Sequence, residues 1–124
     1  MDELILEALA AELSVCKVQD YSRLDPSSAL CFTGQTDEEN SLVCETRYVP
    51  DNVTERDEGW KAFRIRGVLD FSLIGILARI SALLAEAGIG IFAVSTYNTD
   101  YILTKEENFA RALDVLAAAG YTVL

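Results

Sequence analysis

Histidine is absent from this sequence of 124 residues, and cationic side chains are few, because 10 Lys and Arg stand against 20 Asp and Glu. The missing imidazole removes the commonest general base and the commonest metal ligand. The formal net charge of −10 opposes binding to phosphate backbones and to anionic membranes. These shortages argue against a catalytic site, a metal site, and a nucleic-acid or membrane partner. No cofactor is expected.

Cysteine is also scarce, and its three positions, Cys16, Cys31 and Cys44, show no CxxC spacing. Each stands beside an apolar residue, which is typical of a buried free thiol in a reducing compartment. The longest apolar run, residues 83–94, is interrupted by one glutamate and two glycines and is too short to span a bilayer. Residues 1–3, Met-Asp-Glu, lack the positive charge that begins a secretory signal. We therefore expect a cytoplasmic protein.

Apolar residues make up 51% of the chain, which is enough for one compact domain or two very small ones sharing a core. Residues 1–18 allow two interpretations, since Leu4, Ile5, Leu9 and Leu13 have helix-like spacing. The polar and apolar alternation over residues 14–18 favours a strand there instead. Helix and strand both stay open for residues 1–12.

Two short β-rich runs, residues 30–35 and 41–46, are separated by the polar residues 36–40 and predict a hairpin. Residues 50–59, which contain Pro, Asp, Asn and Gly, are the most loop-like stretch of the sequence and predict a connection between two halves. We accordingly place a boundary between residues 1–58 and residues 59–124.

The second half has a clear pattern of alternating strands and helices. The predicted elements are a strand over 60–67, a helix from Ser72 to Gly88, a strand over 91–96, a turn over 97–99, a strand over 100–104, a helix over 106–119 and a strand over 121–124. The first strand alternates, with Phe63 and Ile65 on its apolar face and Arg64 and Arg66 on its solvent face. The order β-α-β-β-α-β predicts an α+β, ferredoxin-like fold, an antiparallel sheet backed by two helices.

Two segments of this half resemble the ACT domain family. They are residues 67–77, where an Asp precedes Gly-Ile-Leu, and residues 83–103. The run Ser-Thr-Tyr-Asn-Thr-Asp over 95–100 is the strongest mark, and it resembles the subfamily that includes the animal cytosolic arginine sensors of the TOR pathway and many small bacterial proteins. The resemblance is firm over 60–124 and weaker over 13–50. It implies two tandem ACT-like halves, the first degenerate.

The start of the first predicted helix is a candidate ligand site, because helix starts carry unpaired N–H groups that suit a carboxylate. Gly75 would let a ligand approach the backbone, and Asp70 could accept hydrogen bonds from an ammonium group. Alternatively, Asp70 only caps the helix and Gly75 only packs. The predicted ligand-binding residues here are Asp70, Phe71, Leu73, Ile74, Gly75 and Ile76.

The hairpin that follows gives the other candidate residues, Thr96, Tyr97, Asn98 and Asp100. Thr96, Asn98 and Asp100 lie two apart, so on a strand they would share a face. The resemblance implies that this hairpin borders the ligand site and that Asp100 matches an acidic position used by the arginine sensors. Alternatively, Asn98 and Asp100 are only turn formers. Tyr97 and Tyr101 could wall a pocket, although aromatic residues on strands more often pack within the sheet.

The resemblance implies a non-catalytic regulatory sensor that binds a free amino acid or a similar small zwitterion and acts on a separate effector protein, with a homodimer as one arrangement. The main alternative is a ligand-free interaction or dimerisation module. An acylphosphatase-like enzyme is disfavoured, because no Arg or Lys lies between Gly67 and Ala78 to hold phosphate. The chain is also shorter than the animal sensors, with one pair of halves where they have two.

Overall fold

The computed structural model describes residues 4–66 and 75–124. The elements in this part of the chain are, in order, β1 (Ile5–Ala8), β2 (Leu13–Val18), β3 (Cys31–Gln35), β4 (Asn40–Glu45), a single 3-10 turn (Thr46–Tyr48), β5 (Val53–Ile65), α1 (Ile76–Glu86), β6 (Phe92–Ser95), β7 (Asp100–Lys105), α2 (Glu106–Ala118) and β8 (Thr122–Val123). They form two compact units: Ala11–Trp60, and the described residues before and after that segment. The predicted division into two ACT-like halves at residue 58 stays a prediction.

The unit Ala11–Trp60 consists of antiparallel strands in the order β3, β4, β2 and the first part of β5. The predicted hairpin is confirmed, because β3 pairs with β4 from Cys31 opposite Cys44 to Gln35 opposite Asn40. The backbone N–H of Thr36 closes the connection by donating to the carbonyl of Glu39 at 2.9 Å. A small core of Cys16, Val18, Leu42 and Cys44 holds the strands together.

The three cysteines of this unit are free thiols, as predicted, but they differ in exposure. Cys16 and Cys44 are buried, whereas Cys31 is exposed. The expectation that all three are buried is therefore wrong for Cys31, because it begins β3, the outer strand of this sheet. Burial raises the pKa of the Cys44 thiol to about 12, so this side chain is protonated and unreactive near neutral pH.

The predicted loop over residues 50–59 is wrong, since only the first residues turn and Val53 begins the 13-residue strand β5. Its acidic side chains are exposed, and the strand is held by backbone pairing with β2 that needs no apolar side chains. A cross-strand ion pair, with 3.7 Å between Lys17 Nζ and Glu55 Oε2, also joins β2 to β5. Gly59, with φ +81°, lies where the register with β2 shifts, so it marks a β-bulge rather than a loop.

The other unit contains a sheet in the order β6, β7, the end of β5, β1 and β8. β1 runs antiparallel to β5, with Glu7 opposite Arg64, and parallel to β8, with Ile5 opposite Thr122. The strand interpretation of the first residues is therefore confirmed for Ile5–Ala8. The physical reason is that Leu6 becomes fully buried between two strands that lie far away in the sequence.

Helices α1 and α2 pack on this sheet, and the predicted β-α-β-β-α-β order is confirmed from β5 to β8. The unit is thus an α+β, ferredoxin-like fold, with β1 as an additional strand. Its core is Leu6, Phe63, Ile65, Ile80, Leu84, Ile89, Ile102, Ala112 and Leu116. Gly88 and Gly120, with φ +74° and +107°, end the helices as predicted. Neither helix in the described part of the chain is long and apolar enough to cross a bilayer.

Candidate functional site

Four of the residues predicted at the helix start, Asp70, Phe71, Leu73 and Ile74, lie outside the described residues. Gly75 is the residue before α1 and has φ +83°, and Ile76 is the first helical residue. The carbonyl of Gly75 accepts the first helical hydrogen bond, from the N–H of Arg79 at 2.9 Å. A Cβ built on Gly75 meets no described atom within 4 Å, so its backbone angle explains the glycine better than close packing does.

We expect Gly75→Ala to lower the free energy of unfolding by about 1–2 kcal/mol, because a side chain is strained at this left-handed backbone angle. Gly90→Ala is the matched control, since Gly90 has open space around it and lacks a positive φ. Urea unfolding followed by circular dichroism measures both effects. Equal stabilities of the two variants would contradict the strain at Gly75.

The hairpin between β6 and β7 turns at Tyr97 and Asn98. The N–H and the hydroxyl of Thr96 both donate to the carbonyl of Thr99, at 2.8 and 3.1 Å. The expectation that Thr96, Asn98 and Asp100 share a strand face is therefore wrong, because the turn interrupts the alternation. Asp100 lies on the helix-packed face of β7 with Ile102, and its Oδ1 accepts a 2.6 Å hydrogen bond from the hydroxyl of Ser95.

A pocket of about 330 Å³ lies beside this turn, within the unit that carries the helices. Its lining residues are Glu7, Arg64, Ile65, Arg66, Asn98, Thr99 and Tyr101. Arg64 and Arg66 are two apart on the chain and alternate with Phe63 and Ile65, whose side chains are buried against the helices. The two arginines therefore project from the opposite face of the sheet.

Arg64 is fixed between the neighbouring strands. Its Nε donates to Glu7 Oε1 at 2.8 Å and its Nη1 donates to the hydroxyl of Tyr101 at 3.3 Å. The guanidinium carbon also lies 5.9 Å from the centre of the Tyr101 ring, within range of a cation–π interaction. The hydrogen bonds to Tyr101 and Glu7 raise the pKa of Arg64 above its usual value. Neither bond uses Nη2 of Arg64 or Oε2 of Glu7.

The rest of the pocket is positioned by backbone contacts. The N–H of Arg66 donates to the carbonyl of Ile5 at 2.8 Å, which fixes the base of this exposed side chain. The buried hydroxyl of Thr99 donates to the carbonyl of Ile65 at 2.7 Å. This bond ties the turn to β5 and brings Asn98 to the edge of the pocket. These two hydrogen bonds hold the walls of the pocket in place.

The chemistry of this pocket offers ion pairing and hydrogen bonding. The described residues that line it present two guanidinium groups, one carboxylate, one amide and two hydroxyls. Its three charged side chains sum to a positive charge, in a chain whose net charge is −10. In the described ranges, no group of three or more Cys, Asp and Glu side chains is placed to hold a metal ion.

The pocket overlaps only partly with the predicted site. Asn98 and Tyr101 line it, whereas Gly75, Ile76, Thr96, Tyr97 and Asp100 do not. The sequence pattern placed Arg64 and Arg66 on a solvent face but gave no sign of a site there. Glu7 was missed because its contact with Arg64 depends on the pairing of β1 with β5, which no local pattern reveals.

Comparison with known proteins gives one family and several similar structures. A model of the ACT domain matches residues 55–118. A structural genomics target from Agobacterium tumefaciens is 29% identical over 100% of this chain and 94% of its own, with a TM-score of 0.84. A Vibrio cholerae protein of unknown function is 20% identical over 94% of this chain and 89% of its own, with a TM-score of 0.70.

The third similar structure is the ligand-free regulatory subunit of aspartate kinase from Thermus thermophilus. It is 11% identical over 93% of this chain and 96% of its own, with a TM-score of 0.63. At this identity the likeness shows the fold alone. The comparison with curated proteins gives no match.

Proposed function

This chain belongs to the ACT domain family, and from that premise we propose that it is a regulatory domain that binds a free amino acid or a similar small zwitterion. The pocket carries the proposal, because Glu7 and the arginines Arg64 and Arg66 place charges of both signs around one small volume. A zwitterion has both a carboxylate and an ammonium group, and each finds a charge-assisted partner there.

We also propose that the domain has no catalytic activity. The sequence contains no histidine, and burial raises the pKa of the Cys16 and Cys44 thiols away from the range where a thiolate forms easily. The pocket itself offers ion pairing and hydrogen bonding. Any output of ligand binding would then pass to a separate effector protein.

Thermal unfolding in the presence of each of the twenty amino acids tests the proposal. A ligand that binds only the folded state adds about 2.7 kcal/mol of stability at a hundred times its dissociation constant, so at least one amino acid should raise the melting temperature clearly. A panel in which none of them shifts the transition would instead favour a ligand-free interaction or dimerisation module.

The residues predicted at the helix start and hairpin give a second candidate location for the same ligand. Gly75 and Asp100 belong to it, and Asp70 would complete it. Once a ligand is identified, Asp100→Ala and Arg66→Gln separate the two locations. We expect the larger loss of affinity in Arg66→Gln, because Asp100 does not line the pocket. The reverse result would place the ligand at the helix start.

Several finer proposals accompany this function. We propose a cytoplasmic protein, supported by its three free thiols, with no nucleic-acid or membrane partner, supported by its net charge of −10. Two tandem ACT-like halves, a homodimer, and membership in the subfamily of the arginine sensors are proposals of the same kind. The subfamily proposal is supported by the sequence over residues 95–100.

A further inference from the structure

We infer that the ligand of the pocket is an acidic amino acid, whose two carboxylates bind Arg64 and Arg66 and whose ammonium group binds Glu7. The inference rests on the proposed amino-acid-binding function and adds the charge class of the ligand. It follows from the signs of the charges in the pocket, from the fixed position of Arg64 and from the spacing of the two arginines.

The charges of the pocket select one class of amino acid. The described lining of the pocket contains two cations and one anion, and an acidic amino acid contains two anions and one cation, so the charges of the complex balance. Because Glu7 already pairs with Arg64, a neutral amino acid leaves the net positive charge of this lining uncompensated. A basic amino acid brings two cations and one anion, the same set as the pocket, and its second cation meets like charge.

Arg64 is prepared to bind a carboxylate before the ligand arrives. Glu7 holds its Nε at 2.8 Å and Tyr101 holds its Nη1 at 3.3 Å, so the planar guanidinium is already oriented. Ligand binding need not restrict this side chain much further, which favours affinity. Its Nη2 remains for the ligand, and the second oxygen of Glu7 remains for the ammonium group.

The spacing of the arginines matches a short dicarboxylate. Arg64 and Arg66 project from the same face of β5, and two residues along a strand correspond to about 7 Å between their Cα atoms. A ligand with carboxylates at both ends of a short carbon chain can reach both guanidiniums. A compact inorganic anion such as phosphate would leave the carboxylate of Glu7 facing like charge. The pocket therefore fits the amino acid better than the bare anion.

Calorimetric titration of the full chain with L-aspartate, L-glutamate, L-alanine and L-arginine tests the inference. We expect binding of an acidic amino acid, and a loss of affinity of about tenfold to a hundredfold in Arg66→Gln, because one charge-assisted contact is lost. Arg47→Gln is the matched control, since it removes the same charge from a side chain that is 74% exposed and lines no part of this pocket. The affinity of the Arg47→Gln variant for the acidic amino acid should equal that of the unmodified protein.

Two further measurements test the individual contacts. Tyr101→Phe removes the hydroxyl that orients Arg64 and should weaken binding by a smaller factor than Arg66→Gln, with unchanged folding. Succinate, a dicarboxylate without an ammonium group, should bind more weakly than L-aspartate, because no ammonium group then meets Oε2 of Glu7, the oxygen that Arg64 Nε does not bond. Succinate binding as tight as that of L-aspartate would overturn the assignment of Glu7.

The outcomes distinguish this inference from the function on which it rests. Tighter binding of L-alanine or L-arginine than of both acidic amino acids would overturn the inference and leave amino-acid binding intact. Unchanged affinity of the acidic ligand in Arg66→Gln would overturn the pocket as its location. Failure of all twenty amino acids to bind would overturn both the inference and the proposed function.

Discussion

Phe63→Ala is expected to lower the free energy of unfolding by about 3–5 kcal/mol, because it removes a fully buried aromatic ring and leaves a cavity. The ring of Phe63 lies 6.4 Å from that of Phe109, centre to centre, so β5 also loses an aromatic contact with α2. Denaturant unfolding followed by circular dichroism measures the change in midpoint and slope.

The control for this experiment is Tyr97→Ala, which truncates an aromatic side chain that is 78% exposed. Its effect should stay within about 0.5 kcal/mol, as is usual for surface substitutions. The loss expected for Phe63→Ala, about 3–5 kcal/mol, is a large part of the stability of a small domain. Phe63→Leu therefore provides a milder variant that keeps most of the side-chain volume. A loss below about 1 kcal/mol in Phe63→Ala would contradict the packing described for this core.

The second large effect is a loss of stability at alkaline pH that originates at Cys44. Burial raises the pKa of this thiol from 9.0 to about 12, so the unfolded chain releases the proton at a lower pH than the folded protein does. The contribution of the Cys44 thiol to the free energy of unfolding therefore does not change with pH below about pH 9. Above it, the free energy of unfolding should fall by about 1.4 kcal/mol per pH unit, or about 4 kcal/mol by pH 12.

Urea unfolding at intervals between about pH 8 and pH 11 measures this slope. Cys44→Ala is the control, because the two proteins differ only at this side chain and their shared contributions to the slope cancel in the difference. The slope should be shallower in Cys44→Ala, whatever the substitution costs at neutral pH. Parallel slopes in the two proteins would show that the Cys44 thiol titrates alike in the folded and unfolded states.

The helices and the strands next to them could be predicted from the sequence, because short-range periodicity determines them. The apolar spacing around Ile80, Leu84 and Leu116 reports directly which side chains are buried, and glycine ends each helix where the chain must adopt a positive φ. The hairpin between β3 and β4 was equally visible, since a polar run separates two β-rich runs.

Two features could not be predicted, because they depend on pairing between distant segments. The acidic residues before Gly59 have the composition of a loop, and only backbone hydrogen bonds to β2 make them a strand. The pocket has the same origin: Glu7 and Arg64 are adjacent only because β1 lies beside β5. The local composition of β5 does not indicate that it pairs with β2 and β1. Among the predicted ligand-binding residues Asn98 lines this pocket, whereas Glu7, Arg64 and Arg66 were not predicted.

The position of β1 between β5 and β8 has a consequence for the order of events during folding. Ile5 and Leu6 pair with Thr122 and Val123, which lie 117 residues further along the chain. A long loop must close before these contacts can form, so this pairing is slow relative to the helices, which form from local contacts. Until β8 has paired, β1 has an unpaired edge, and such edges favour aggregation.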